Sequence, residues 1–278
     1  MALQINTNEL ALAAQRNLEE TNRRLHGTIA RVASGSRIVQ ASDDPAGLAI
    51  SDSMNAHIRS LGQAVRNAQD GVSVVQIFEG GTNEINNMMM RIRELAMQSA
   101  SDTVGDRERG MLNNEVEQLK QEIERISHTT KFAGNELLSG KQIKMDFQVG
   151  IGNEDNVDRI SFNPGDTNMT ISALGLDDVN ILKKEDAQGS LEKLDEGLNR
   201  VNDVRARVGA AQNRLTTTIS ATGIFQENLL AAKSRIRDAD MAAESANYAR
   251  ETILRKAGVA VLVQANETPA LALQLLRN

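Results

Sequence analysis

The 278-residue sequence contains no cysteine and no tryptophan, a single tyrosine and only three prolines. The lack of cysteine excludes disulfides, thiolate metal sites and a thiol nucleophile. All five phenylalanines lie between Phe78 and Phe225, so both ends of the chain must pack with aliphatic side chains and methionine. The prolines separate long segments that nothing else interrupts, and they are Pro45, Pro164 and Pro269.

The charges are unevenly distributed around a net charge of −6 and a sequence pI near 5.3. Residues 41–236 carry 21 basic and 29 acidic side chains, whereas the two ends are close to neutral. Non-specific nucleic-acid binding requires clustered Lys and Arg, so we expect no nucleic-acid partner. A net negative charge that is concentrated in the middle indicates that the near-neutral ends are buried against something.

Neither membrane insertion nor classical secretion is predicted. The first 12 residues lack the basic flank and apolar run of a cleaved signal peptide, so any export must use another route. The longest uncharged apolar stretch near the C-terminus covers 257–265, well below the roughly 20 residues of a spanning helix. We therefore expect no membrane span.

Apolar residues spaced three and four apart predict long coiled-coil helices. The first seam ends before Ser34-Gly35-Ser36, and a second helix starts at Pro45, with the preceding carboxylates as its cap. This second helix extends to about residue 100, on the order of 80 Å. The apolar residues of this helix alternate in spacing between four and three, and the alternation is interrupted by an additional step of three from Val75 to Phe78, beside Gly80-Gly81. The first seam reads Leu18, Asn22, Leu25, Ile29 and Val32.

The pattern changes from helical to strand-like in the middle of the chain. A third helical seam runs from Leu112 to Ile126, followed by alternating apolar residues at Ile143, Met145, Phe147 and Val149. Ile160 and Phe162 indicate a partner strand. Helical spacing returns at 190 and extends to about 238, and a last helix over 240–266 is expected to end at Pro269.

The predicted fold class is therefore mainly α: a long-helix coiled coil or helical bundle with a small β-hairpin element. We expect three parts. Residues 1–40 and 238–278 form paired terminal arms, residues 41–140 and 183–237 form a long-helix rod domain, and residues 141–182 form the hairpin element. Helical arms of this kind are only marginally stable alone in water, so we expect them to become ordered when they assemble with other copies of the chain. The alternative is an intramolecular coiled coil that closes on itself.

No catalytic, cofactor-binding or metal-binding constellation is predicted. His26, His57 and His128 lie far apart in sequence on separate helical segments. The segment from Gly134 to Lys141 has five residues between its glycines where a phosphate loop needs four. Gly150-Ile151-Gly152 lacks the third glycine of a dinucleotide site. We therefore expect neither an enzyme nor a cofactor.

Several segments together resemble the bacterial flagellins, the subunits of flagellar filaments. The N-terminal part carries 33–38 (ASGSRI), 41–50 (ASDDPAGLAI), 66–71 (RNAQDG) and 91–98 (RIRELAMQ). The C-terminal part carries 209–215 (GAAQNRL), 234–240 (SRIRDAD) and 264–266 (QAN). The segments occur in the family's order and cover roughly 1–150 and 190–278.

The resemblance implies a structural subunit that polymerises with itself into the filament used for swimming. It implies terminal arms paired as an inner tube, an extracellular location, and export without a cleaved signal peptide. The partners it implies are an export chaperone, the filament cap and hook-associated proteins. In the filament core we expect packing by Leu18, Leu25, Ile29, Val32, Tyr248, Val259 and Leu262.

The resemblance also implies an epitope for the innate receptor Toll-like receptor 5 at Arg91, Leu95 and Glu115. Arg91 and Leu95 are four residues apart and so share one side of a helix, as an epitope or a subunit contact requires. Three alternatives remain open for the whole chain: a hook–filament junction protein, a coiled-coil adaptor, and an enzyme carried on a helical rod.

Overall fold

A computed structural model describes residues 8–141, 144–163 and 167–276, with side chains as far as residue 267. Five long helices account for most of it: α1 (Glu9–Ser34), α2 (Pro45–Ser99), α3 (Asp106–Thr129), α6 (Lys184–Arg237) and α7 (Met241–Leu276). The short elements are β1 (Lys131–Phe132), β2 (Asn135–Glu136), β3 (Met145–Gln148), α4 (Asp155–Asp158), β4 (Arg159–Phe162) and α5 (Ile171–Leu174). The predicted mainly α class is confirmed.

Contacts divide the chain into two compact units. Unit 1 comprises Met1–Ala56 and Asn228–Asn278, and unit 2 comprises His57–Glu227. The division falls inside α2 and α6, whereas the predicted arms stop where α1 ends and α7 begins. The predicted boundaries thus follow helix ends, while the compact units follow packing.

The predicted helix signals lie where the sequence indicated. Gly35 ends α1 in the left-handed conformation at φ 66°, which glycine adopts without steric cost. Pro45 is the first residue of α2, and Asp44 Oδ1 accepts a hydrogen bond from the Gly47 amide at 2.9 Å. A proline at this position loses no helical bond, because the first amides of a helix have no partner.

The core of unit 2 follows the predicted seams. On α2 the seam stays buried through the three-residue step, since Val75, Phe78 and Thr82 are all fully buried. Val116 and Ile123 from α3, and Val201 and Val208 from α6, belong to the same core. Because every long helix of this unit contributes a continuous apolar stripe, the core can extend along the helices.

The predicted β-hairpin is confirmed for its described part. Strand β3 pairs antiparallel with β4, with Met145 opposite Phe162 and Phe147 opposite Ile160. The Phe162 ring packs edge-on against Phe78 with centroids 5.4 Å apart, which fixes the hairpin to α2. Ile143 and Pro164 lie outside the described residues.

The sequence analysis missed a second, smaller hairpin. Strand β1 pairs with β2 through a two-residue turn in which Ala133 has φ 48° and Gly134 has φ 83°. Two successive positive φ values are typical of the tight turn that matches strand twist. Alanine rarely adopts this conformation, so the segment carries little turn signal in its sequence.

Candidate assembly surface

Helices α1 and α7 of unit 1 lie antiparallel and are joined at one end by backbone hydrogen bonds. The Arg37 amide donates to the Arg237 carbonyl at 2.6 Å, and the Ala239 amide donates to the Gly35 carbonyl at 2.9 Å. Further along, Arg31 Nε lies 3.1 Å from Glu244 Oε1. These contacts hold the first and last helices of the chain together.

The face of α1 that is buried against α7 differs from the predicted seam. The buried side chains are Ala14, Thr21, Leu25 and Thr28, whereas Ile29 is 42 % exposed. In the single chain Ile29 therefore does not lie on the buried side of α1, whereas Asn22 is half-buried. Thr21 buries its hydroxyl by donating to the Asn17 carbonyl at 2.8 Å, which removes the cost of an unpaired polar group.

Small residues allow the two helices to approach closely. A Cβ added at Gly258 of α7 would lie 3.3 Å from Leu18 Cδ1, closer than side chains normally pack. At the far end Ala265 is 8 % exposed. Alanine, glycine and threonine thus make much of the contact together with Leu25 and Leu18, and several larger aliphatic side chains of α7 remain exposed.

Those larger side chains are exposed on several sides of α7. Ile253 is 67 % exposed, and about half of each of four other aliphatic side chains faces solvent: Leu254, Val259, Val261 and Val263. Val261 points about 160° away from both Val259 and Val263 around the helix axis, so the three side chains do not form one stripe. A helix that is apolar around its circumference is normally surrounded by other elements. The single chain covers only one side of it.

The predicted filament-core residues divide by exposure. Leu25 is buried, and three more are half-buried: Leu18, Val32 and Leu262. The remaining three, Ile29, Tyr248 and Val259, are between 42 % and 47 % exposed. A role for all seven in filament packing stays a prediction.

The predicted receptor residues are only partly at the surface. Arg91 Nε donates to Glu115 Oε1 at 2.9 Å, joining α2 to α3, and Glu94 also contacts the guanidinium. The hydrogen bonds that Arg91 donates to Glu115 and to Glu94 raise the pKa of Arg91 above its usual value. Leu95, however, is 1 % exposed and belongs to the core. The helix side shared with Arg91 is thus half buried.

A polar cluster that the sequence analysis did not single out lies where α3 meets the β1–β2 hairpin. His128 Nδ1 is 3.1 Å from Glu136 Oε2, and its Nε2 is 3.1 Å from Glu124 Oε1. The hydrogen bond to Glu136 raises the pKa of His128. The hydrogen bond from His128, together with the nearby Lys131 ammonium, lowers the pKa of Glu136 to about 2. The four-residue spacing of Glu124 and His128 was the available signal.

Within the described ranges, the structure contains no cluster of His, Cys, Asp or Glu suited to a metal ion. Among the helices as described, none is long and apolar enough to cross a membrane.

Comparisons with known proteins give a consistent result. Residues 5–143 match the bacterial flagellin N-terminal helical region, and residues 191–276 match the bacterial flagellin C-terminal helical region. The chain is 41 % identical over 273 residues to a flagellin of Halalkalibacterium halodurans, covering 98 % of this chain and 99 % of the relative. It is 36 % identical over 309 residues to a flagellin of Bacillus subtilis, covering 99 % and 100 %.

Two solved structures are similar. A Bacillus cereus flagellin aligns with TM-score 0.50 and 26 % identity over 56 % of this chain and 88 % of that one. A hook-associated protein described as putative, from Vibrio parahaemolyticus, aligns with TM-score 0.58 but 14 % identity, over 70 % of this chain and all of that one. At 14 % identity, the similarity to the second structure shows a shared fold only.

Proposed function

The chain belongs to the bacterial flagellin family and is a structural subunit that polymerises into the flagellar filament, and from that premise we propose that α1 and α7 are the elements through which the copies assemble. The hook–filament junction alternative is not favoured, because full-length relatives named flagellin match the whole chain.

The observation that carries this proposal is the exposure of aliphatic side chains around α7. Fully burying one Val, Leu or Ile side chain contributes about 1.5–3 kcal/mol. Five such side chains that are each about half exposed therefore represent several kcal/mol per subunit on the order-of-magnitude scale. This free energy is available only when other chains cover the helix.

The directions of these side chains also favour a polymer over a closed dimer. A two-fold dimer covers one patch on each copy with the same patch on the other. Side chains on opposite sides of α7 need at least two different neighbours, which is a head-to-tail arrangement. Such contacts generate a helical array when the rotation does not close. We propose that this array is the inner tube of the filament.

Seeded polymerisation tests the proposal. The full chain added to filament fragments should elongate them, whereas chains lacking 1–40 or 238–278 should stay soluble and helical. A point variant gives a sharper comparison: Val261→Asn should raise the critical concentration roughly tenfold, since it removes about 1.4 kcal/mol of burial. The matched control Val261→Leu keeps the site apolar and should stay within about threefold. Normal polymerisation of the truncated chains would refute the role of the arms.

We further propose that the chain is extracellular, exported without a cleaved signal peptide, and handled by an export chaperone, the filament cap and hook-associated proteins. Support for these partners comes from family membership. The exposed aliphatic side chains of α7 also need protection before assembly, because exposed apolar surface promotes aggregation.

For Toll-like receptor 5 we propose an epitope centred on the Arg91–Glu115 pair, with Leu95 supporting it from beneath. Arg91→Ala and Glu115→Lys should reduce receptor signalling by the soluble chain without changing its helix content. Arg107→Ala, an exposed arginine at the start of α3, is the control and should signal normally. Equal signalling by all of these proteins would exclude the epitope. Leu95→Asp is unsuitable here, because it places a charge in the core of unit 2.

A further inference from the structure

Helix α7 continues past Pro269 to Leu276, contrary to the expectation that it ends there. Proline has no backbone N–H, so the carbonyl four residues earlier loses its helical donor. In α7 that carbonyl belongs to Ala265, a residue that is 8 % exposed. A carbonyl left unpaired in such a place is costly, and a replacement donor is expected.

The replacement comes from the residue that precedes α1. Asn8 Nδ2 donates to the Ala265 carbonyl at 2.7 Å. Through its other atom, Oδ1, the same side chain accepts a hydrogen bond from the Ala11 amide at 3.1 Å and so caps the first turn of α1. One amide group therefore serves two helices at once.

We propose that Asn8 is a positioning residue that stands in for the amide missing at Pro269, so that the helical end of α7 forms only when the first turn of α1 is docked beside it. Among the common N-cap residues only asparagine supplies both atoms. Aspartate offers acceptors but no donor, and serine is too short to reach across while capping. The ends of the two arms are thereby coupled and order together.

A double-mutant cycle tests the coupling. Asn8→Ser keeps the cap oxygen and loses the donor to Ala265, and Pro269→Ala restores the backbone N–H that makes this donor unnecessary. The first readout is amide hydrogen exchange of residues 270–276, measured on the soluble chain and on seeded filaments. The second is the critical concentration for polymerisation.

With Pro269 present, Asn8→Ser should accelerate exchange of 270–276 and raise the critical concentration by roughly five- to tenfold, the effect of one lost hydrogen bond to a buried carbonyl. In the Pro269→Ala background, Asn8→Ser should change both by less than about twofold. Asn8→Asp should follow the same pattern. Equal effects of Asn8→Ser in both backgrounds would overturn the coupling, since independent sites are additive.

The coupling rests on the proposed assembly role, and the two can fail separately. A parent chain that did not polymerise would contradict the proposed function. In filaments that do form, equal acceleration of exchange at 270–276 by Asn8→Ser with and without Pro269→Ala would contradict the coupling alone.

Discussion

Two adjacent glycines in the middle of α2 should respond in opposite directions to the same substitution. A Cβ added at Gly80 meets nothing within 4 Å. A Cβ added at Gly81 would lie 2.8 Å from both Leu138 Cδ1 and Thr130 Oγ1. Both residues are helical, so any difference between Gly80→Ala and Gly81→Ala comes from the surroundings and not from the backbone.

The magnitudes follow from the helix and from the space around each site. Alanine in place of glycine inside a helix stabilises it by about 0.5–1 kcal/mol. At Gly81 this gain is opposed by crowding, which costs roughly 1–3 kcal/mol in a packed site. The neighbours cannot easily move, because Thr130 Oγ1 donates to the Ile126 carbonyl at 2.9 Å and Leu138 is fully buried. The two variants should therefore differ by about 1–3 kcal/mol.

Thermal unfolding followed by far-UV circular dichroism measures this difference. For a unit of this size each kcal/mol changes Tm by about 2–4 °C, so Gly80→Ala should raise Tm and Gly81→Ala should lower it. Combining Gly81→Ala with Leu138→Val should cost less than the sum of the two single changes, because the smaller side chain makes room. If Gly81→Ala raised Tm as much as Gly80→Ala, the close approach at Thr130 and Leu138 would be refuted.

Two further predictions concern polar groups in unit 2. The pKa of His128 is raised above 6.5, so the stability that this side chain contributes is complete below about pH 6.5 and is lost as the pH rises through the folded pKa. The pKa of Glu136 is lowered from 4.5 to about 2, so its contribution is present above about pH 4.5 and is lost as the pH falls toward 2. The urea concentration at the unfolding midpoint should therefore be highest between about pH 4.5 and 6.5 and should decrease on both sides. His128→Gln should weaken the decrease above pH 6.5. If the variant had the same pH profile as the parent chain, the stabilising role of the His128–Glu136 contact would be refuted. Arg109, 8 % exposed, donates to the carbonyls of Ser99 and Ser101, and Arg109→Lys should reduce the unfolding free energy by about 1–3 kcal/mol in urea titrations. The exposed control Arg107→Lys should change it by less than about 0.5 kcal/mol, and equal effects would refute the buried role.

The long helices of unit 2 could be read from the sequence because their signal is repeated many times. The buried positions of α2 between Ile58 and Ala96 recur every three or four residues, and the adjacent buried pairs 74–75, 85–86 and 95–96 do not hide the pattern. The Asp44-Pro45 start and the Gly35 end were equally readable, since each requires a particular residue type for a particular backbone conformation.

The features that sequence reasoning missed depend on contacts between distant residues. Thr28 looks polar and Ile29 looks apolar, yet Thr28 is buried and Ile29 is not, because close approach to α7 favours the smaller side chain. Leu95 shares a helix side with Arg91 but is covered by the core. Pro269 predicted a helix end, but α7 continues to Leu276, and the Ala265 carbonyl accepts a hydrogen bond from Asn8.

The contact between the end of α1 and the start of α7 joins residues that are far apart in the sequence, and this affects when the proposed assembly surface can form during synthesis. The Arg37 side chain donates to the Ile236 carbonyl, a residue 199 positions later in the chain. At translation rates of about 5–20 residues per second, α1 is synthesised on the order of ten seconds or more before α7. An unfinished polypeptide therefore presents at most half of the proposed assembly surface until α7 has been synthesised.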